Sequence, residues 1–418
     1  MRMHASVNAF TLLALLVSAS GAVAQQAPPA KGFNELGVMA FGEKRYELAL
    51  ENFGKALELE ANNPSIKRNL CAVHQAMAND LAVAGKLPEA LARVNLGLEV
   101  DPDNVSALAQ AGAYRLKQGD LSAATTQLEK AVALDSASKE ARFLLGEAYY
   151  QQNKLTEAGA QWDEVLKLDP AWPGLQEKMD KLSRENSVEA GFTAYDAGHF
   201  QLRYAEALSE ATRDGVFRVL EDAYKSVGEK LGGAFPTEPV QVVLYSGEQF
   251  AEATQSAAHV GALFDGKIRA PITGKNKRFL TPQVLSTRLT HEYVHVVLAQ
   301  IGGGHVPWWL NEGLAETFSR QMDQSRERML RKAYTADHAS SLADLEARQL
   351  DQLDANELAL AYAQAHAATQ ILWNEGGTKK MADAIRRMKD GSPPQDAIKE
   401  AFGMDYAALE EKLKAAYK

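Results

Sequence analysis

The sequence predicts a mostly helical α+β protein, in which an N-terminal α-solenoid precedes a C-terminal α+β domain. Three observations predict this arrangement. Small and apolar residues recur at a fixed spacing between about residues 30 and 172. Short strand-like segments alternate with helical segments between residues 200 and 272. The segments that follow have helical periodicity, beginning with one that contains the pattern HEYVH at residues 291–295.

The first residues have the features of a secretory signal peptide. Arg2 gives a positive start, residues 9–17 form an apolar run, and the small residues AVA at 22–24 offer a cleavage site. The apolar run is too short to span a bilayer. We therefore expect a signal peptide at residues 1–24, export to a periplasm or the extracellular space, and no integral membrane segment after cleavage.

The N-terminal region repeats a pattern of four small or apolar positions, separated by 12, 4 and 3 residues. The four sets are Gly37, Ala49, Phe53 and Ala56; Ala78, Ala90, Val94 and Gly97; Gly112, Ala124, Leu128 and Ala131; and Gly146, Ala158, Trp162 and Val165. Small residues at such positions let the two helices of a hairpin approach closely, and one hairpin cannot bury its apolar face alone. We therefore expect about four stacked hairpins over residues 30–172.

The last three sets are offset from one another by 34 residues, and the first offset is 41, which implies about seven extra residues near positions 64–70. This period and these positions resemble tetratricopeptide repeats (TPR). The resemblance implies a curved solenoid whose concave face binds an extended peptide or a protein partner. The alternative is a scaffold that positions the C-terminal domain and has no ligand of its own.

After the repeats, residues 173–190 predict a polar capping helix and residues 191–418 a separate α+β domain. Its first predicted strand has apolar residues alternating with polar ones from Phe200 to Tyr204. A helix at 211–231 and a buried strand at 240–245 follow. The dipeptide Asp265-Gly266 then separates two short apolar runs, at 260–264 and 267–272, which predicts a β-hairpin.

The HEYVH segment has the spacing of a metal site. His291 and His295 are four residues apart and therefore lie on one face of a helix, where a single tetrahedral ion can bind both imidazoles. Glu292 can reach a water at the open position of that ion. The segment WLNEGLAE at 309–316 supplies a carboxylate. Two histidines, one carboxylate and one water describe a catalytic site rather than a structural one.

The surroundings of the pattern favour a buried helix. Residues 285–301 are rich in leucine and valine and contain no proline, and glycines at 302–304 end the segment. A second helix is expected to begin at Asn311, a residue type suited to the N-cap. The alternative is a surface helix with two solvated histidines.

HEYVH followed by WLNEGLAE resembles the gluzincin branch of the zincins, which includes thermolysin. It resembles more closely the short peptidase-MA-like domains that are joined to tetratricopeptide repeats in bacterial proteins. The resemblance implies a zinc metallopeptidase in which His291, His295 and Glu312 bind Zn²⁺ and Glu292 activates the water. Glu316, one turn beyond Glu312, is an alternative ligand, although in gluzincins the later acid orients a ligand histidine.

The same resemblance implies two further features. Aminopeptidase-type gluzincins have a tyrosine at the start of a comparable helix, which makes Tyr362 the candidate for stabilising the oxyanion. The alternative for Tyr362 is a tyrosine that packs in the core. His366 and His305 are further candidates for this task, for which a satisfied or solvated histidine is the favoured interpretation.

Gluzincins also bind substrate backbone along the edge strand of their sheet, and here the strand at 266–270 is the candidate edge. Its alternative is an ordinary sheet edge that Lys267 and Arg269 protect from pairing.

The net charge of −9 provides no basic surface, and we expect no nucleic-acid partner. The expected substrate is a peptide or protein. A second hypothesis is a TPR-based binding or assembly protein with a vestigial peptidase domain. A third is a zinc hydrolase that acts on a non-protein amide.

Overall fold

The computed structural model describes residues 29–205, 208–256, 260–274 and 277–418. The predicted signal peptide at residues 1–24 lies outside the described residues. The chain divides into two compact units, one that ends at Ile66 and one that extends from Lys67 to Lys418. Within the described residues, no helix is both long enough and apolar enough to cross a membrane.

The first unit contains a helical hairpin of α1 (Ala30–Gly42) and α2 (Tyr46–Leu59). A Cβ at Gly37 would lie 2.6 Å from carbon atoms of the Phe53 ring, so only glycine lets α1 approach the ring this closely. Phe53 is 1% exposed. The absence of a side chain at Gly37 therefore leaves the space in which the Phe53 ring is buried.

Three further hairpins follow along residues 64–168, and the second unit holds nearly all of them. Their helices are α3 (Pro64–Val83), α4 (Leu87–Val100), α5 (Val105–Gln118), α6 (Leu121–Leu134), α7 (Lys139–Gln151) and α8 (Leu155–Leu168). The same pairing of a glycine with a large side chain recurs in these hairpins. A Cβ at Gly112 would lie 2.6 Å from Leu128, and a Cβ at Gly146 would lie 2.2 Å from Trp162. All the predicted repeat positions are buried. The extra residues of the longer offset are helical, since α3 has 20 residues and α5 has 14.

Helix α9 (Leu175–Glu189) leads from the last hairpin to a five-stranded mixed sheet in the order β1-β2-β3-β5-β4. The strands are β1 (Phe192–Ala197), β2 (Phe200–Ala205), β3 (Val240–Tyr245), β4 (Leu263–Phe264) and β5 (Ile268–Pro271). Strand β3 pairs in parallel with both β2 and β5. Strand β1 pairs antiparallel with β2, and strand β4 pairs antiparallel with β5.

The expectation that the strand at 266–270 forms the edge of the sheet is wrong. Strand β5 lies between β3 and β4, so the edge strand on this side of the sheet is β4. The alternative, an ordinary sheet edge that Lys267 and Arg269 protect, is wrong as well, because both side chains are fully buried. Their side chains lie on the face of the sheet that α9 covers, whereas Ile268 and Ala270 face the main core.

Further helices complete the C-terminal region. They are α10 (Glu210–Lys230), α11 (Gly247–Thr254), α12 (Pro282–Gly302), α13 (Trp308–Ser319), α14 (Gln324–Thr335), α15 (Leu342–Ala347), α16 (Ala355–Lys389), α17 (Pro394–Phe402) and α18 (Tyr406–Tyr417). One large core joins β2, β3 and β5 to α10, α12, α13 and α16. The predicted fold class, helical repeats followed by an α+β domain, is confirmed.

Candidate active site

Helix α12 carries the HEYVH pattern and has defined ends. The Thr281 side chain accepts a hydrogen bond from the Val284 backbone N–H, and Pro282 occupies the first turn, where its missing N–H costs nothing. Gly303 ends the helix in the left-handed conformation, with φ of 57°. One face of α12 packs under the sheet, where Tyr293 contacts Phe200 with ring centroids 5.7 Å apart. The other face turns His291, Glu292 and His295 towards a cleft.

Helix α13 begins at Trp308, so the expectation that Asn311 caps this helix is wrong. Pro307, whose φ of −64° suits the residue before a helix, precedes it. Asn311 instead lies in the first turn, and its Oδ1 accepts a hydrogen bond from His295 Nδ1 at 2.8 Å. With the proton on Nδ1, the Nε2 of His295 is free to bind a metal.

Three predicted ligands converge where α12 meets α13. His291 Nε2 lies 3.4 Å from Glu312 Oε2, and His295 Nε2 lies 3.7 Å from Glu312 Oε1. One ligand atom from each of the three residues lies within 4.8 Å of the other two. In the part of the chain that the structure describes, these three residues alone form such a group. The protein therefore brings together a donor set that could hold a metal ion.

The chemistry and spacing of this donor set fit zinc. Zinc binds imidazole nitrogen and carboxylate oxygen at about 2.0–2.2 Å with tetrahedral geometry, which separates neighbouring ligand atoms by about 3.4 Å. The two distances to Glu312, 3.4 and 3.7 Å, are close to that separation. With three protein ligands, a fourth position would remain for water or substrate.

Glu316 lies beside the cluster and is held by arginines. It is 3% exposed, its Oε2 forms an ion pair with Arg320 Nε at 3.0 Å, and Arg326 donates a hydrogen bond to the same oxygen. Burial alone would raise the pKa of Glu316, but the hydrogen bond and charge of Arg326 lower it. Its Oε1 lies 3.7 Å from His291 Nδ1, a buried nitrogen without a hydrogen-bond partner among the described residues. This geometry suits an orienting acid better than a metal ligand.

Glu292 lies next to the first histidine and lines the cleft, although it is only 6% exposed. Burial raises the pKa of Glu292 to about 7, the charge of Glu312 adds to the rise, and His291 opposes it. A carboxyl group with a pKa near neutrality can both accept and donate a proton at physiological pH.

Tyr362 also lines the cleft, with its ring centroid 6.3 Å from that of Trp308. The expectation that it stands at the start of its helix is wrong, because α16 begins at Ala355 behind an Asp354 capping box. Tyr362 therefore lies about two turns into the helix. Burial raises the pKa of Tyr362, and the charge of Glu312 raises it further, so the phenol keeps its proton and can donate it in a hydrogen bond.

The two other histidines considered for this task do not face the cleft. His366 is fully buried, with Nδ1 4.0 Å from Glu316 Oε2, and burial lowers its pKa to about 4. His305 is exposed in the turn between α12 and α13 and is not among the residues that line the cleft.

The cleft above the cluster has a volume of about 1300 Å³. Small-molecule pockets generally have about 300–1,000 Å³, so this one has room for a longer ligand. The edge strand β4 and residues 260–262 before it form one wall, α12 forms the floor, and α14 and α16 contribute the far wall. An exposed edge strand can pair with an extended peptide.

Sequence reasoning missed the arginines of the cleft. Arg320 directly follows the last residue of α13 and stands four residues after Glu316, a spacing that could have indicated the ion pair. Arg326 reaches Glu316 from α14, and no local pattern links those two positions. Arg288 lies one turn before His291 and lines the cleft, which the helical spacing could have indicated.

Comparison with known proteins supports this description of the two regions. Residues 227–418 match the family model of the Peptidase MA superfamily, and residues 110–174 match a tetratricopeptide repeat model. The chain therefore carries a Peptidase MA superfamily domain together with tetratricopeptide repeats. The similarity inferred from HEYVH and WLNEGLAE is confirmed at this level.

Individual relatives cover smaller parts of the chain. Over 116 residues it is 29% identical to DnaJ homolog subfamily C member 3 of Mus musculus, a match that covers 28% of this chain and 23% of the relative. The chain thus spans less than a quarter of that protein's length. Among solved structures, the first TPR of Spaghetti (RPAP3) bound to an HSP90 peptide is 24% identical with a TM-score of 0.28, covering 28% of this chain and 93% of that one. The MamA RS-1 ArsTM double mutant is 23% identical with a TM-score of 0.30, and the match covers 37% of this chain and 83% of that one.

Proposed function

We propose that this chain is a zinc-dependent metallopeptidase in which His291, His295 and Glu312 hold Zn²⁺. The observation that carries the proposal is the convergence of these three ligand atoms within 4.8 Å at the floor of a cleft of about 1300 Å³. The match of residues 227–418 to the Peptidase MA superfamily supports the same reaction class.

Zinc, when bound, supplies a Lewis acid that polarises a carbonyl and lowers the pKa of water. Glu292 accepts the proton of the attacking water and delivers it to the leaving amine, two transfers that suit a buried carboxyl group whose pKa is raised by its burial. The Tyr362 hydroxyl donates a hydrogen bond to the oxyanion that develops at the scissile carbonyl. Each of these side chains lines the cleft.

Two neighbours position the ligands in this proposal. Asn311 fixes the ring of His295 through the 2.8 Å hydrogen bond to Nδ1. Glu316 lies 3.7 Å from Nδ1 of His291 and is kept in place and ionised by Arg320 and Arg326. Partners of this kind orient ligand histidines and raise their basicity.

The substrate in this proposal is an extended peptide or protein segment that pairs with the edge strand β4. The repeats dock a substrate or a partner protein, since tetratricopeptide arrays stack into surfaces that bind extended segments. The proposal includes export of the chain, which is supported by three signal-peptide features: the charged start, the apolar run and the AVA site at residues 22–24. N-terminal sequencing of the secreted protein should begin at Gln25.

The alternative function is a TPR-based binding or assembly protein whose peptidase domain is vestigial. The intact ligand set and the buried Glu292 favour an active enzyme over this alternative. One assay distinguishes the active peptidase from the binding protein. It uses mass spectrometry to follow the cleavage of a mixture of proteome-derived peptides.

The zinc-loaded protein should cleave such peptides, a chelator should abolish cleavage, and added zinc should restore it. The Glu292→Gln variant should keep its zinc and lose at least about 100-fold in rate. A zinc-loaded wild type that cleaves nothing would favour the binding protein, and an active Glu292→Gln would exclude Glu292 as the base.

A further inference from the structure

Arg288 is a cation in the cleft that the proposed reaction does not use. It stands on α12 three residues before His291 and lines the cleft. A Cβ at Gly261 would lie 3.0 Å from its Nε and 3.2 Å from its Cζ. The guanidinium therefore lies between the helix of the metal site and the segment that leads into the edge strand β4. This is the space that an extended peptide on β4 would occupy.

The charge of Arg288 is not compensated by the described residues. The other arginines lining this part of the cleft, Arg320 and Arg326, both pair with Glu316. Arg288 has no such pair with any carboxylate that the structure describes, including the acids that line the cleft, which are Glu292, Glu312, Glu316 and Asp323. Burial lowers the pKa of Arg288, and the positive charge of Arg320 lowers it further.

We propose that Arg288 binds a carboxylate of the peptide substrate and makes the enzyme selective for an acidic group close to the scissile bond. This inference rests on the proposed peptidase function and adds the substrate class. A guanidinium offers a planar fork that binds a carboxylate through two parallel hydrogen bonds. A half-buried arginine that has no ion pair within the protein binds such a carboxylate favourably, because the ligand supplies the missing negative charge.

The position of Arg288 limits where the acidic group can be. Along the helix, the Cα atoms of Arg288 and His291 are separated by about 4.5 Å. One residue of an extended peptide spans about 3.3 Å. The carboxylate is therefore expected within about three residues of the scissile bond. Both an aspartate or glutamate side chain and the terminal carboxylate of a short peptide meet this requirement.

The test compares peptides that carry glutamate or glutamine at each position around the cleaved bond, with the C-terminus either free or amidated. The wild type should prefer glutamate at one position, or the free terminus, by about 10–100-fold in kcat/KM. Loss of the preference on amidation identifies the terminal carboxylate, and its persistence identifies the side chain. Arg288→Gln should remove the preference while still cleaving the glutamine peptide, and Arg288→Lys should retain part of it. Arg218→Gln, which removes an exposed positive charge from α10, serves as the matched control and should behave as wild type.

Binding to the inactive Glu292→Gln protein provides a second measurement that does not depend on hydrolysis. Glutamate peptides should bind this protein about 10–100-fold more tightly than glutamine peptides, and the additional Arg288→Gln change should make the two affinities equal. Equal cleavage and equal binding of both peptides would overturn the role of Arg288 and leave the peptidase function intact. Selective binding without any hydrolysis by the zinc-loaded wild type would support Arg288 as the carboxylate site and contradict the peptidase function.

Discussion

Arg269 of β5 forms an ion pair with Glu185 of α9, with 2.7 Å between Nη2 and Oε2, and both side chains are inaccessible to solvent. Arg269 also contacts Glu189 at 3.1 Å. Tyr150 of the last hairpin donates a 2.7 Å hydrogen bond to Glu185, and Lys267 donates one of 2.7 Å to Asn153. A buried ionic network therefore joins the last repeat and α9 to the strand that carries the edge hairpin.

Replacing Arg269 by Met should destabilise the protein strongly, because Glu185 and Glu189 would remain buried without their main partner. Breaking one side of a buried ion pair costs about 3–5 kcal/mol. Urea unfolding would measure the loss. The control is Arg386→Met, whose exposed pair with Asp383 should contribute about 1 kcal/mol or less. Equal effects of the two changes would show that the buried network does not hold the sheet to the repeats.

Asn311 should set the zinc affinity through His295. Asn311→Ala removes the acceptor of the 2.8 Å hydrogen bond and should weaken zinc binding by about 10–100-fold. Asn311→Asp keeps an acceptor at the same place and should bind zinc more tightly than the alanine variant. Competition with a chromogenic chelator measures both affinities. An alanine variant that binds zinc like the wild type would exclude this role.

Gly313 should be intolerant of any side chain, because α13 and α16 touch at this residue. A Cβ there would lie 2.1 Å from Thr369 Oγ1 and 2.5 Å from the backbone oxygen of Ala365. Gly313→Ala should cost about 1–3 kcal/mol in the free energy of unfolding, and because Glu312 is adjacent it should also weaken zinc binding. Gly54→Ala, where a Cβ meets nothing within 4 Å, is the control and should not destabilise. Comparable stability of the two variants would contradict the close helix contact.

Tyr362 should contribute to the chemical step rather than to substrate binding. Tyr362→Phe removes the hydroxyl and should lower kcat by about 100–1,000-fold, with little change in KM or zinc content. Steady-state kinetics on one cleaved peptide provides the measurement. Tyr417→Phe, in the terminal helix α18 and outside the cleft lining, is the matched control. An unchanged kcat would make Tyr362 a packing residue.

Local sequence patterns predicted much of the fold. The strand at 240–245 and the helix at 211–231 match β3 and α10 within one residue, because continuous apolar runs and helical spacing report burial directly. Strand β1 was missed, since none of its residues is fully buried and its sequence has no clear alternation.

What the sequence did not predict depends on contacts between distant residues. The position of β5 inside the sheet is set by pairing with β3 and β4, which no local pattern encodes. The histidines and Glu312 could be predicted because helical spacing and the motif place them together. The contact of Arg326 with Glu316 joins two helices and became visible only in the folded chain.

The most direct test of the account is the zinc content of the purified protein after loading and dialysis, measured by elemental analysis. The wild type and Glu292→Gln should each retain one zinc per chain. His291→Ala and Glu312→Ala should lose it, and Glu316→Gln should retain zinc with an affinity lowered by about 10–100-fold. A wild type that retains no zinc, or a Glu312→Ala variant that binds it as tightly as the wild type, would contradict the proposed site.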